Sequence, residues 1–298
     1  MTAPRLHTAE QVSSALASID VLAVVRDAFL QRSAGSTLLA PQTSLHWRAP
    51  DSAPARSIAM HAYLGAGDPC VGLKLINAAP ANVKRGLPRA DGLIALFDPL
   101  SARIVDLLPA GEISAARTAA VSVLAAQELA VRPAPTLALL GAGTIAAKHL
   151  EMLATAGLGI ELVRSFDLDP SRTAGLARIS SAFALKHRLA TSARAAVVDA
   201  DIVVTATTTT EPYLRFSWLK PGALAINVSL DDLHDEVFTK ANAVYVDDLD
   251  AIVEDGHRRL GRLCREGAIA TEGPARRGHP VIRASLGDLF AGLAPGRV

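Results

Sequence analysis

The segment Gly141-Ala142-Gly143-Thr144-Ile145-Ala146 constrains this chain more than any other. It stands directly behind the apolar run Leu137 to Leu140 and opens a helical stretch holding Lys148, His149, Leu150 and Met152. A GxGxxA turn between strand and helix has a specific physical use. The first glycine permits the tight turn, the second lets backbone approach a pyrophosphate, and the small Ala146 lets helix and strand pack closely. The helix N-terminus then turns its free amides toward the anion. Alone, such a motif is equally a structural glycine turn. Asp167 adds the second half of the pattern, since it ends the next strand about twenty residues past Ala146, where a carboxylate accepts hydrogen bonds from the adenosine ribose. The sequence therefore predicts a dinucleotide site with Gly141, Gly143, Thr144, Ile145 and Asp167 as cofactor-binding residues. No basic residue directly follows Asp167 in Phe166-Asp167-Leu168-Asp169-Pro170, so the expected cofactor is NAD rather than NADP. The alternative use of Asp167 is to cap the following turn, a task open to Asp169 as well.

From Thr136 onward, apolar strands alternate with helical stretches: Leu137 to Leu140, Leu162 to Phe166, Ile202 to Thr205, Ala223 to Val228 and Ala243 to Val246. That rhythm predicts a parallel sheet covered on both faces. The chain ahead of it reads differently. Thr8 with Gln11 forms a capping box, and Asp20 precedes a periodic run ended by Gly35, so two amphipathic helices are expected. Between Ser44 and Leu108, short runs (Ser57 to Met60, Val71 to Ile76, Leu93 to Phe97) broken by Pro, Gly and Asp predict a mainly antiparallel sheet. Ser114 to Ala130 reads as a helix stopped by Arg132-Pro133-Ala134-Pro135, the natural hinge. The expected fold class is α/β: a Rossmann-type parallel-sheet domain over residues 118–298, preceded by a smaller α+β domain over residues 1–117.

Thirty basic residues against twenty-nine acidic ones leave a formal charge of +1, without a run of either sign. This argues against nucleic acid or a membrane surface as partner and for a small-molecule substrate. Cys70 and Cys264 form no CxxC pair and the eight histidines show no ligand spacing, so no metal site is expected. The N-terminus carries no apolar leader and no segment reaches membrane-spanning length, which predicts a cytoplasmic protein. No GxSxG nucleophile turn is present.

Other candidates come from charges in apolar settings. Lys74 interrupts an apolar strand, where an ammonium needs a purpose or an edge position reaching water. The run Asn77 to Arg89 reads as a long polar loop whose cations can bind carboxylate. Arg117 is the strong charge near the start of a very apolar helix, suited either to a bidentate carboxylate contact or to an interdomain salt bridge. Asn227-Val228-Ser229-Leu230-Asp231-Asp232 follows a strand and so lies at a carboxyl end, where open parallel sheets place ligands. One of its aspartates is expected to face the cleft, while the other caps the helix behind it.

Together, Gly72-Leu73-Lys74, Pro80-Ala81-Asn82, Arg85-Gly86-Leu87-Pro88, Ser114-Ala115-Ala116-Arg117-Thr118-Ala119-Ala120, the Gly141 turn and Thr205-Ala206-Thr207 resemble the ornithine cyclodeaminase and mu-crystallin superfamily. The similarity covers most of the chain. It implies a substrate-binding and dimerisation domain ahead of the Rossmann domain, a homodimer, and a small amino-acid-derived substrate. Arg85 to Ala90 and Ser229 to Leu233 look most like the branch that oxidises N-(2-amino-2-carboxyethyl)-L-glutamate with NAD, releasing 2,3-diaminopropionate and 2-oxoglutarate for siderophore or antibiotic biosynthesis. By that resemblance Lys74 and Arg117 hold the substrate carboxylate, Asp232 is the catalytic carboxylate, and Arg89 binds the extra acidic groups. Asn82 and His46 complete the substrate set, and Thr118, Thr207, Val228 and Ser229 line the cofactor. His46 stands where relatives carry arginine, Met60-His61-Ala62 replaces Met-Pro-Ala, and relatives continue beyond Val298. The alternatives are a cyclodeaminase that recycles its NAD and a crystallin-like binding protein without turnover.

Overall fold

The computed structural model describes residues 3–229, 231–254, 258–271 and 281–297. The chain divides into two compact units, Met1–Arg117 and Thr118–Val298.

The first unit begins with β1 (Arg5–Leu6), α1 (Ala9–Ser18) and α2 (Val21–Ser33). Thr8 and Gln11 form the expected reciprocal capping box, and the Asp20 side chain accepts from the Ala23 amide. The helices are less amphipathic in effect than expected, since α1 buries Val12 alone and α2 buries no residue. There follow β2 (Thr37–Leu39), β3 (Thr43–Arg48), β4 (Pro54–Leu64), β5 (Cys70–Ala78), β6 (Ala90–Phe97) and β7 (Ile104–Pro109). They form one sheet in the order β1-β7-β6-β5-β4-β2, with β3 also on β4. The pairs among β2 to β7 are antiparallel, while β1 joins β7 in parallel. The run expected as one loop from Asn77 is shorter. Asn77 and Ala78 close β5, Pro80–Arg85 wind into a 3-10 turn, and Gly86 ends it at φ 70°. A proline at the first helical position and a glycine after the last explain that turn locally.

The division between units falls inside α3 (Gly111–Leu129). The second unit then runs β8 (Thr136–Leu140), α4 (Thr144–Ala154), β9 (Leu162–Phe166), α5 (Ala174–Ala182), β10 (Lys186–Leu189), α6 (Ala193–Val197), β11 (Ile202–Thr205) and β12 (Leu224–Asn227). These strands form a parallel sheet in the order β10-β9-β8-β11-β12. The order reverses between β8 and β11, so the switch point lies beside the glycine turn, where doubly wound sheets bind ligands. Leu137, Leu139, Leu140, Ile202, Val203 and Val204 are essentially fully buried, which explains why these strands read as continuous apolar runs. Two expectations are corrected. The strand near Ala243 is β13 (Val244–Val246), which leaves the main sheet. It follows α7 (Asp235–Lys240) and pairs in parallel with β14 (Ile282–Ser285), beyond α8 (Leu249–Glu254) and α9 (Arg259–Arg265) and ahead of α10 (Leu286–Phe290). The fifth strand of the main sheet is instead β10, whose sequence Lys186-His187-Arg188-Leu189 is too polar to stand out because it forms an exposed edge.

Candidate dinucleotide and substrate sites

At the end of β8 the chain reverses through Gly141 at φ 93°. A Cβ there would lie 2.5 Å from the Ala206 carbonyl oxygen and 3.3 Å from the Thr207 nitrogen, so a side chain fails both on backbone angle and on space. Gly143 differs. Its φ of −84° suits any residue, and among the described residues a Cβ would meet only the Arg172 guanidinium, at 3.6 Å. The fold does not need glycine at 143; the open space above it is what a pyrophosphate needs. Gly143 starts α4 without a side-chain cap, leaving the amides of the first turn, Thr144 and Ile145 among them, to point outward.

Asp167 follows β9 and joins two turns. Its Oδ2 accepts from the Ala142 amide at 2.8 Å and its Oδ1 from the Asp169 amide at 2.9 Å. A carboxylate offers about four lone-pair positions, so acceptor capacity remains for ribose hydroxyls. Asp169 does the capping, taking hydrogen bonds from the Ser171 amide at 3.1 Å and hydroxyl at 2.6 Å. That turn also carries Arg172, absent from the sequence reading because it lies five residues beyond Asp167. The 3-10 turn Pro170–Thr173 brings its Nη1 to 3.9 Å from Asp167 Oδ2.

The ends of β11 and β12 form the neighbouring wall. Ser229 accepts from the Thr207 amide at 3.1 Å and donates to the Thr205 carbonyl at 3.0 Å, while the Val228 amide donates to the same carbonyl at 3.1 Å. Thr207, Val228 and Ser229 are thus gathered beside the Gly141 turn; Thr118 lies on α3. Leu230 lies outside the described residues. Asp231 is half-buried, but Asp232 is completely buried, at 0 % exposure. Its Oδ1 accepts from the Thr207 hydroxyl at 2.7 Å and the Tyr213 hydroxyl at 2.9 Å. Its backbone carbonyl takes the Tyr213 and Leu214 amides. Burial first, and the Asp232 charge second, push the Tyr213 phenol up, so it stays a donor. The expectation that Asp232 faces a cleft therefore needs correction: its carboxylate latches the Thr207 loop from within, and its other oxygen has no hydrogen-bond partner among the described residues. Two aspartates in tandem at a strand end gave no sign of which one turned inward.

A second buried polar group is His149 on α4. Its Nδ1 lies 2.7 Å from the Ile145 carbonyl and its Nε2 2.8 Å from the Ser122 hydroxyl. A carbonyl only accepts, so Nδ1 bears the hydrogen and Ser122 donates to Nε2. Burial lowers the histidine pKa and keeps the ring neutral. The pair fastens α4, and with it the glycine turn, to α3.

In the first unit, Lys74 sits in central strand β5, paired with Met60 on β4 and Ile94 on β6, so the edge-strand reading does not hold. Burial, and then the like charge of Arg117, lower its ammonium to about 8. Arg117 is itself exposed. Since directly paired residues share a sheet face, the register Lys74–Met60 and Arg56–His46 places His46 on the Lys74 face. Trp47, Asn77 and Asp91 fall on the other face. There they line a cavity of about 90 Å³ together with Asn82 and Arg89. Asn82 is held by Arg85, which in turn pairs with Asp51. The substrate residues expected as one group are thus divided: Lys74, Arg117 and His46 apart from Asn82 and Arg89. One-residue alternation along β3 and β5 causes this, and only the pairing register reveals it. Trp47, which also borders a cleft of about 300 Å³ with His46 and Arg48, was not singled out by its sequence context.

The model of the ornithine cyclodeaminase/mu-crystallin family matches residues 3–298. The chain belongs to that family. It is 34% identical over 245 residues to N-((2S)-2-amino-2-carboxyethyl)-L-glutamate dehydrogenase of Staphylococcus aureus, covering 81% of this chain and 70% of the relative. Among solved structures, CmnK superposes with a TM-score of 0.88 at 33% identity, covering 99% of this chain and 88% of the other. The Delta(1)-pyrroline-2-carboxylate reductase of Thermococcus litoralis, solved with NADH and L-proline, gives a TM-score of 0.80 at 26% identity, with 94% and 84% covered. Among the described residues no helix is long and apolar enough to cross a membrane.

Proposed function

We propose that the chain is an NAD-dependent oxidoreductase acting on the C–N bond of an amino-acid-derived substrate. The observation that carries this reading is the open space above Gly143 beside the ribose-type carboxylate of Asp167. NAD, when bound, supplies the hydride acceptor. The outward amides of the first turn of α4 suit its pyrophosphate, and Asp167 suits its ribose. Lys74 and Arg117 are two cations brought near each other, which fits a carboxylate that would relieve their repulsion. Asp232 acts as a positioning residue, holding the Thr207 loop against the glycine turn.

The substrate we favour is N-(2-amino-2-carboxyethyl)-L-glutamate, on the strength of the 34% identical staphylococcal dehydrogenase. Loss of hydride from the glutamyl α-carbon and of a proton from its nitrogen leaves a C=N bond. Water adds to that carbon, and C–N cleavage releases 2-oxoglutarate and 2,3-diaminopropionate. A homodimer through the first unit fits its uncovered apolar side chains, with Leu38 70%, Leu45 65% and Trp47 44% exposed. The test is a panel of N-(2-amino-2-carboxyethyl)-L-glutamate, ornithine, lysine, alanine and proline with NAD, read by NADH absorbance and product mass. Equal amounts of NADH, 2-oxoglutarate and 2,3-diaminopropionate from the first substrate alone support the reading. Proline formed from ornithine without net NADH would replace it with a cyclodeaminase, and tight NADH binding without any turnover would favour a binding protein.

A further inference from the structure

Resting on the NAD reading above, we infer that Arg172 is a diphosphate-binding residue of the dinucleotide site. Its guanidinium lies over the lane that Gly143 leaves open, with Nη2 3.6 Å from where a Cβ of residue 143 would stand. Its Nη1 is 3.9 Å from Asp167 Oδ2, beyond hydrogen-bond range, and that oxygen already accepts from the Ala142 amide at 2.8 Å. The cation is thus held by the charges of Asp167 and Asp169 without a hydrogen bond to Asp167, and its Nη2 is turned to the glycine turn. Its origin is well fixed: Asp169 caps the turn, Thr173 donates its hydroxyl to the Pro170 carbonyl at 2.7 Å, and Thr173 is buried. The side chain itself is 42% exposed, so it retains freedom to meet a ligand.

The ligand class follows from the geometry. Outward amides of α4 and a planar guanidinium converge on the space beside Gly143, and a diphosphate offers oxygens to both. A guanidinium fork matches phosphate oxygens bidentately and adds the full positive charge that an amide cradle lacks. In the same reading Asp167 takes the ribose hydroxyls. The pair divides the cofactor: the carboxylate reads the sugar and the arginine reads the diphosphate.

The test compares the unmodified protein with Arg172→Ala and Arg172→Lys in calorimetric titrations with NADH, ADP-ribose, adenosine and NADPH. A lost charge-assisted hydrogen bond weakens binding by about tenfold to a hundredfold. Arg172→Ala is expected to lose that factor for both NADH and ADP-ribose, with adenosine unchanged. Arg172→Lys should recover part of it, and the salt dependence of ADP-ribose binding should flatten in Arg172→Ala. Unchanged ADP-ribose affinity in Arg172→Ala would overturn the inference, as would a loss confined to NADPH, which would make Arg172 a reader of the ribose phosphate. If the unmodified protein bound neither NADH nor ADP-ribose, the NAD reading itself would fail and the role of Arg172 with it.

Discussion

The glycine corner of the second unit and the Lys74 strand of the first are built on opposite plans. At the corner, Gly141, Gly143 and Asp167 lie within one strand-turn-helix-strand stretch, and hydrogen bonds tie the turns together: the Gly141 amide donates to the Phe166 carbonyl and the Ala142 amide to the Asp167 carboxylate. The centre of the sheet beneath is buried, with Val163, Ile202 and Val203 at 0 % exposure. The Lys74 region depends on pairings between distant segments, and its outer strand β3 is exposed along its whole length. A site built from local turns tolerates little change in its backbone but leaves open space for a ligand. A site built from register stakes its geometry on alternation, where one residue of slip moves a charge to the other face.

The comparison can be broken most severely within the corner itself. Gly141→Val is expected to unfold or strongly destabilise the protein, by several kcal/mol on the order of other severe backbone clashes, whereas Gly143→Val shifts stability by less than about 1 kcal/mol. Thermal unfolding followed by circular dichroism checks this, and equal melting temperatures for the two variants would refute the distinction. Asp232 comes next. Asp232→Ala leaves the Thr207 and Tyr213 hydroxyls without their acceptor, at a cost of about 1–3 kcal/mol for each group left buried and unpaired. In Asp232→Asn the amide oxygen takes both donors, so stability and turnover should largely survive. Loss of turnover in a folded Asp232→Asn with normal NADH affinity would instead make Asp232 a catalytic base.

The difference between the regions also governs what the sequence disclosed. The limits of a strand such as Ile202–Thr205 were legible because a strand buried on both faces is an apolar run ending at a polar turn. The glycine turn and Asp167 were legible because their spacing is local. Arg172 was not, since the relation of its guanidinium to Gly143 depends on how a 3-10 turn folds back. The inward turn of Asp232 was hidden because its partners Thr207 and Tyr213 are remote in sequence. The separation of Lys74 from Asn82 and Arg89 was hidden for a related reason: sheet faces follow from pairing, and the sequence shows the strands without their partners.

Titration sharpens the contrast further. Lys74, lowered to about 8 by burial and Arg117, is a cation only below that value, and the proposed hold on a substrate carboxylate needs the cation. KM should therefore rise as pH passes above about 8, by about tenfold per unit at most, and Lys74→Met should raise KM at neutral pH and remove the dependence. A KM independent of pH between 7 and about 9.5 in the unmodified enzyme would contradict this role. The smallest effect belongs to His149, whose folded pKa is depressed by burial. Its unfolded form begins to bind a proton near pH 6.5, while the folded form resists. Stability is complete above that pH and falls as pH drops toward the folded value, by up to about 1.4 kcal/mol for each unit of depression. Urea unfolding of the unmodified protein and His149→Gln from pH 7 to about 5 should show the acid loss in the former alone; parallel profiles would assign the loss elsewhere.

NADH titrated by calorimetry into Gly143→Val and Lys74→Met, side by side with the unmodified protein, tests most directly whether the corner alone carries the cofactor. Lys74→Met should bind as the unmodified protein does, while a folded Gly143→Val should lose at least about a hundredfold in affinity, because its side chain fills the diphosphate lane. Equal binding by a folded Gly143→Val, or an equal loss in both variants, would contradict the account.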